Sequence, residues 1–253
     1  MIDKIVPSFD TAVADIPAGA TLHIGGFVGP GYSPIYLIAA LARRRVDRLT
    51  VITTAIASGT AQLREYGEAV KSVMPLPSDY VGPALLAELH LVAKAITTFP
   101  ATSRGAEGPF EQLVRSGEAE VELIGQGSLA ERIRCARAGI AAFYTPVGAG
   151  TFVAEGKEVR DFGGVPHILE TALPADFALI RAYAADRYGN LVYRGPSTFN
   201  ATMAGAARVT IAEVEEIVPL GGLDPHHIVT PGVYVQRIVQ RPAVRASSWE
   251  QPC

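Results

Sequence analysis

The chain has 253 residues, 49% of them apolar and 19% charged, with a formal net charge of −3. That length is ample for a sizeable core, and a charge near zero with no basic run longer than Arg43-Arg44-Arg45 gives no reason to expect a nucleic acid or an anionic membrane as partner. Two cysteines, Cys135 and Cys253, make neither a disulfide framework nor a zinc site by themselves.

No apolar run approaches the ~20 residues of a membrane span. The N-terminal stretch, with Asp3, Asp10 and Asp15, lacks the apolar segment of a signal peptide, so the cytoplasm is the expected compartment. A mean hydropathy of +0.23 points to a buried interface between subunits.

In chain order, "ATLHI" (20–24) reads as a short strand and "SPIYLIAALARRR" (33–45) as a helix with a basic last turn suited to its dipole. The β-branched run "DRLTVITTAIA" (47–57) reads as a buried strand. Strand, glycine turn, helix and strand make a βαβ unit, which favours a parallel, right-handed α/β architecture. Helices are expected over 79–90 and 108–117, and a strand over 119–124. "SLAERIRCARAG" (128–139) carries Ser128 with Glu131 three residues on, the pattern of a capping box, and Gly139 suits its far end. Strands are expected over 175–185 and 232–239, with a turn at Gly189-Asn190 between them. The segment 100–109 reads as a loop and the tail from about 241 as loose. With no internal repeat and no clear linker, residues 1–253 are expected to form a single α/β domain with a largely parallel sheet.

The stretch "HIGGFVGPGYSP" (23–34) concentrates four glycines and two prolines. It fits neither a dinucleotide fingerprint, because Pro34 stands at the third glycine, nor a P-loop, because Tyr32 replaces the lysine. Gly25 and Gly26 at a strand end permit positive φ and close approach of backbone amides to a ligand. The following helix is expected to aim its positive N-terminus at the same space, which suits a carboxylate, a thioester oxyanion or a pyrophosphate. A ligand-contacting loop and a plain structural turn both remain open on these features. So do two readings of Gln126, flanked by Gly125 and Gly127 at a strand's C-terminal end: ligand contact, or a turn-stabilising amide.

Other reactive side chains carry weaker signals. His226 and His227 beside Asp224 are adjacent and so poorly placed for joint ligation; a surface loop is the better reading. His23 is expected in a core or interface. Cys135, near Arg132, Arg134 and Arg137, is expected to be a packed thiol. No G-x-S-x-G elbow is present. Glu65, Glu68, Glu107, Glu155 and Glu158 lack any setting that marks a nucleophile, so the chain offers binding apparatus without an evident reactive group.

Several blocks together resemble the A (alpha) subunit of class I coenzyme A transferases, the 3-oxoacid CoA-transferase family. "GGFVGPGYSP" matches its glycine signature through Gly31, with one extra residue before Pro34. "GQGSLAERIRCARAGIAAFYTPVGAGT" (125–151), "DFALIRAYAADRYGNLVYR" (176–194), "VTIAEVEEIV" and "GGLDPHHIVTPGVYVQRIV" extend the likeness over roughly 20–55 and 93–240. The resemblance implies an α/β fold with a mixed, largely parallel sheet. It also implies ping-pong acyl transfer, with CoA thioester as substrate and no permanently bound cofactor or metal. The nucleophilic glutamate then belongs to a B subunit, in a heterodimer or heterotetramer. Gly25, Gly26, Phe27, Val28 and Gly29 are implied as the glycine loop, with Gln126 and Gly127 as the glutamine motif, Gln126 bonding an oxygen near the partner's glutamate.

The chain departs from the family near the acyl position. "TTA" (53–55) stands where relatives carry S-N-N, "TFPATSRGAEGPF" replaces the Y-V-G-E-N stretch, and 56–80 is longer. The acyl substrate is therefore left open, as is a same-fold hydrolase or decarboxylase. A silent scaffold protein is a further alternative, against which the retained loop and glutamine argue.

Overall fold

The computed structural model describes residues 2–27, 32–57, 70–75, 78, 80–101 and 107–242. Val28 and Gly29, most of the long 56–80 segment and the tail beyond 242 lie outside the described residues. The first half contains α1 (Phe9–Ala12), β1 (Thr21–Ile24), α2 (Ile35–Arg43), β2 (Leu49–Ala55), α3 (Pro83–Glu88), β3 (Val92–Phe99), α4 (Pro109–Ser116) and β4 (Glu120–Leu123). Then come α5 (Gln126–Ala138), β5 (Ala142–Thr145), β6 (Val159–Phe162), β7 (Val165–Thr171), β8 (Ala175–Asp186), β9 (Leu191–Val192), α6 (Thr198–Met203), β10 (Ala207–Val218) and β11 (Arg237–Gln240).

The main sheet runs in the order β11-β10-β8-β1-β2-β3-β4, every neighbouring pair parallel, with β9 antiparallel beside β8. Its two faces carry separate apolar layers. Leu22, Ile24, Leu49, Val51 and Ala95 pack with α1 to α4; Ile52, Ile96, Ala178 and Ile180 pack with Leu129 and Ile133 of α5 and Phe199 and Met203 of α6. Helices on both faces of a parallel sheet are what βαβ crossovers produce. Helix α2 is buried from Ile35 through Ala42, which accounts for a run that is apolar on all sides rather than along one stripe.

Several elements differ from the sequence expectation. The helix expected over 79–90 is Pro83–Glu88: Pro83 opens it and His90, at φ +57°, lies past its end. Strand β3, helix α6 and the small antiparallel sheet β5-β7-β6 add to the expected elements. The strand expected over 232–239 shortens to Arg237–Gln240. Gly232–Tyr234 instead form a 3-10 turn tied to the β8–β9 hairpin, where the Gly232 N–H donates to Asn190 Oδ1 at 2.8 Å. The hairpin turn itself is present, with Gly189 at φ +91°.

The capping box at Ser128 is not formed. Helix α5 begins at Gln126 with Gly125 as N-cap, and the Gly125 carbonyl accepts from the Leu129 N–H at 2.9 Å. Ser128 is buried in the first turn, and Glu131 pairs with Arg134.

Candidate functional site

Because β1 to β4 are parallel, Gly25, Ile56, Pro100 and Gly125 all follow strand ends on one edge of the sheet. From β1 the chain proceeds outward through β2, β3 and β4, whereas β8, β10 and β11 lie on the other side. The gap between β1 and β8 is thus the switch point of the sheet, where α/β proteins bind ligands outside the carboxyl ends of their strands. The glycine turn sits there. Gln126 follows β4, three strand spacings or about 14 Å along the same edge. A ligand touching both lies across the ends of β2 and β3, where Thr53, Thr54 and Ala55 stand and where Phe99 is 43% exposed.

The turn has specific steric requirements. The Gly25 N–H donates to the Leu179 carbonyl at 2.9 Å, so the residue still belongs to the β1–β8 ladder. A Cβ at Gly25 would lie 2.0 Å from Asn200 Oδ1, and one at Gly26 would lie 2.5 Å from Ser33 Oγ. Gly26 also has φ +120°, a region that side chains rarely enter. Both glycines are therefore required by packing and backbone geometry, whatever else the turn does. Phe27 continues onto the α6 side, stacked on Phe199 with ring centroids 6.4 Å apart.

Asn200, 2% exposed, fixes this turn. Its Oδ1 accepts from the Arg181 N–H at 2.9 Å, and its Nδ2 donates to the Tyr32 carbonyl at 2.9 Å and to Thr198 Oγ1 at 3.2 Å. Thr198 holds φ +50°, costly for a β-branched residue.

The anion-binding role expected for the N-terminus of α2 is corrected by the structure. The Tyr36 and Leu37 amides donate to Glu213 Oε2 at 2.9 and 3.1 Å. An internal carboxylate thus occupies the position where the ligand was expected. Glu213 is fully buried on β10, and burial pushes its pKa up against the pull of Arg241, Arg181 and the two amides. Beside it Arg181 Nη2 bonds Glu215 Oε1 at 2.8 Å, and Arg194 lies 3.6 Å from the other Glu215 oxygen.

Gln126, the first residue of α5, is exposed, as is Gly127, where a Cβ would meet nothing within 4 Å. No packing reason therefore requires glycine at 127. The helix is anchored by Arg132, which donates from Nε to the Thr171 carbonyl at 2.7 Å and from Nη1 to Glu122 Oε1 at 2.7 Å. Glu170, 3.6 Å from Arg132, also takes Lys157 Nζ at 2.6 Å. These contacts tie α5 to β4 and to the small sheet, and so fix where Gln126 stands.

Of the remaining candidates, His23 and Cys135 are buried and the histidine pair is exposed. His23 is wholly buried, and burial pushes its pKa down to about 4 against a smaller upward pull from the Leu173 backbone. Cys135 is buried and its thiol pKa is raised, first by burial and then by Glu131. His226 and His227 lie on an exposed 3-10 turn capped by Asp224, whose Oδ1 accepts from the His226 N–H at 2.9 Å. No group of three His, Cys, Asp or Glu able to hold a metal occurs among the described residues, and no helix among them is long and apolar enough to cross a membrane. Asn200 and Glu213 are the two site-shaping residues that sequence reasoning missed. Both act across more than 150 residues of chain toward the glycine turn or α2, and no local spacing signals such contacts.

The profile of the family described as Coenzyme A transferase matches residues 6–241. The chain is 41% identical over 249 residues to the A subunit of 3-oxoadipate CoA-transferase from Pseudomonas putida, covering 98% of both chains. It is 38% identical to the A subunit of succinyl-CoA:3-ketoacid coenzyme A transferase from Helicobacter pylori, covering 94% of this chain and 92% of that one. Among solved structures, a variant of the decarboxylase AibA/AibB superposes with a TM-score of 0.72 at 28% identity, over 95% of this chain and 84% of that one. With the glycine turn at the switch point and the full-length match in hand, the chain belongs to the coenzyme A transferase family.

Proposed function

We propose that this chain is the A subunit of a heteromeric CoA-transferase of the cytoplasm, folded as one domain, that moves CoA from an acyl-CoA to a carboxylic or 3-oxo acid. The observation that carries the reading is the Gly25-Gly26 turn at the β1/β8 switch point with Gln126 on the same edge, in a chain whose relatives are named as A subunits. The nucleophile comes from the B subunit. Its glutamate carboxylate attacks the thioester carbonyl, expelling CoA thiolate and leaving a mixed anhydride. The thiolate attacks the glutamyl carbonyl, releasing the first acid and leaving a glutamyl-CoA thioester; the acceptor acid then reverses both steps. A carboxylate is a weak nucleophile, so orientation and CoA binding energy must supply much of the rate.

In this reading Gly25 to Gly29 approach the reacting carbonyl, and the Gln126 amide bonds an oxygen of the acyl or carboxylate group. Gly127 leaves room for the ligand above the first turn of α5. The absence of a steric need for glycine at 127 supports that last role.

The likeness to a decarboxylase keeps one other reading open, a same-fold decarboxylase or hydrolase that releases free CoA or carbon dioxide. The test is reconstitution. The chain purified alone should not turn over acetoacetyl-CoA or succinyl-CoA, and the chain co-expressed with a B subunit should. Full activity of the isolated chain overturns the assignment.

A further inference from the structure

In a parallel ladder, a residue whose N–H donates to one strand neighbour accepts from the N–H two residues further along that neighbour. Gly25 gives its N–H to the Leu179 carbonyl, so its own carbonyl is the regular acceptor for the Arg181 N–H. That N–H is instead accepted by Asn200 Oδ1, at 2.9 Å. The side chain of Asn200 has taken the place of β1 in the sheet, and at Gly26 the backbone turns away with φ +120°.

The same amide grips the far end of the loop. Nδ2 donates to the Tyr32 carbonyl at 2.9 Å, so a single 2% exposed side chain meets both ends of a segment whose first residue and last residue are seven positions apart. The fit leaves no room, since a Cβ on Gly25 would lie 2.0 Å from Oδ1. On the other side, Thr198 Oγ1 accepts from Nδ2 while its own backbone is held at φ +50°. Strain of this kind is kept only where the surroundings over-determine it, and it gathers at functional sites.

We infer that Asn200 is a positioning residue for acyl transfer: by replacing β1 in the ladder and tethering Tyr32, it holds the Gly25-Gly26 peptide out of the sheet and toward the substrate. This rests on the proposed CoA-transferase reading. A loop edge misplaced by about 1 Å costs on the order of a hundredfold in rate.

The test uses the complex with the B subunit. Competent centres are counted by the one equivalent of free acid released from acyl-CoA when no acceptor is present, so that turnover per centre is independent of how much protein is folded. Asn200→Ala removes all three hydrogen bonds; Asn200→Asp keeps the acceptor for Arg181 but sets an oxygen against the Tyr32 carbonyl. Both are expected to lower turnover per centre by at least about tenfold. Gly25→Ala is expected to be similarly damaging alone, yet to add almost nothing in the Asn200→Ala background, because the atom it strikes is gone. The inference is overturned if either Asn200 variant keeps turnover per centre within twofold of the native complex, or if the Gly25 and Asn200 losses multiply. A native complex that transfers no CoA at all would count against the functional reading rather than against the role of Asn200.

Discussion

Individual residues separate into those that shape the turn and those proposed to meet a ligand. Gly25 and Gly26 are glycines for steric reasons that the sequence only hints at, whereas Gly127 has open space around it. Gly127→Ala should therefore stabilise the isolated chain, by up to about 1 kcal/mol from helix propensity, while lowering transfer in the complex. Thermal melts and the exchange rate, read together, check this opposition. Gln126→Ala should reduce transfer by about tenfold or more through loss of one oriented donor, and a rate within twofold of native would remove its proposed role. His23 sets a pH dependence. Its folded pKa of about 4 lies below the ordinary value of 6.5, so the unfolded chain takes up the proton first as pH falls. This contribution to stability is complete above pH 6.5 and is lost toward pH 4, up to about 3 kcal/mol. Urea titrations at pH 7 and pH 4.5 should show that slope in the native chain and a shallower one in His23→Phe.

Among the elements, those with strong local patterning are legible in the sequence. β1, α2 and β2 follow from an apolar strand, a glycine turn and an apolar helix in succession, and β8 from its long apolar run. The antiparallel sheet β5-β7-β6 escapes such reading because β5 and β6 are four residues each, the first half-buried and the second exposed throughout, and the buried alternate positions of β7 pair Ile168 with a carboxylate, Glu170, which breaks the apolar alternation. The start of α5 is misleading in sequence because Ser128 and Glu131 fit a capping box, while Gly125, which has no side chain to signal a cap, starts the helix. The N-terminus of α2 looks like a ligand site in sequence because its true acceptor, Glu213, lies on β10. Glu213→Ala should leave the buried Tyr36 and Leu37 amides without their acceptor and remove one carboxylate from beside Arg181 and Arg241, at a cost of about 3 kcal/mol or more, while Glu213→Gln, which keeps an acceptor oxygen, should cost less. Denaturant midpoints of the two variants would rank them.

At the scale of the molecule, a doubly wound parallel sheet puts every βα connection of β1 to β4 on one edge, with the topological switch between β1 and β8. In the proposed reading the chain supplies a turn and an amide there, and the nucleophile comes from the partner. "TTA" (53–55) at the end of β2, where the resemblance implies S-N-N, falls between the glycine turn and Gln126, in the stretch the acyl group would cross in the proposed reading, so substrate choice is the property in which this chain should differ from that pattern. The most direct measurement is an exchange assay on the A–B complex, with an acyl-CoA and a panel of free acids, that follows both CoA esters and free CoA. Formation of a new CoA ester in step with loss of the old one is the expected result. Free CoA accumulating without any new ester would contradict transfer and indicate hydrolysis, and a new ester that forms without the added acid and with release of carbon dioxide would contradict it in favour of decarboxylation.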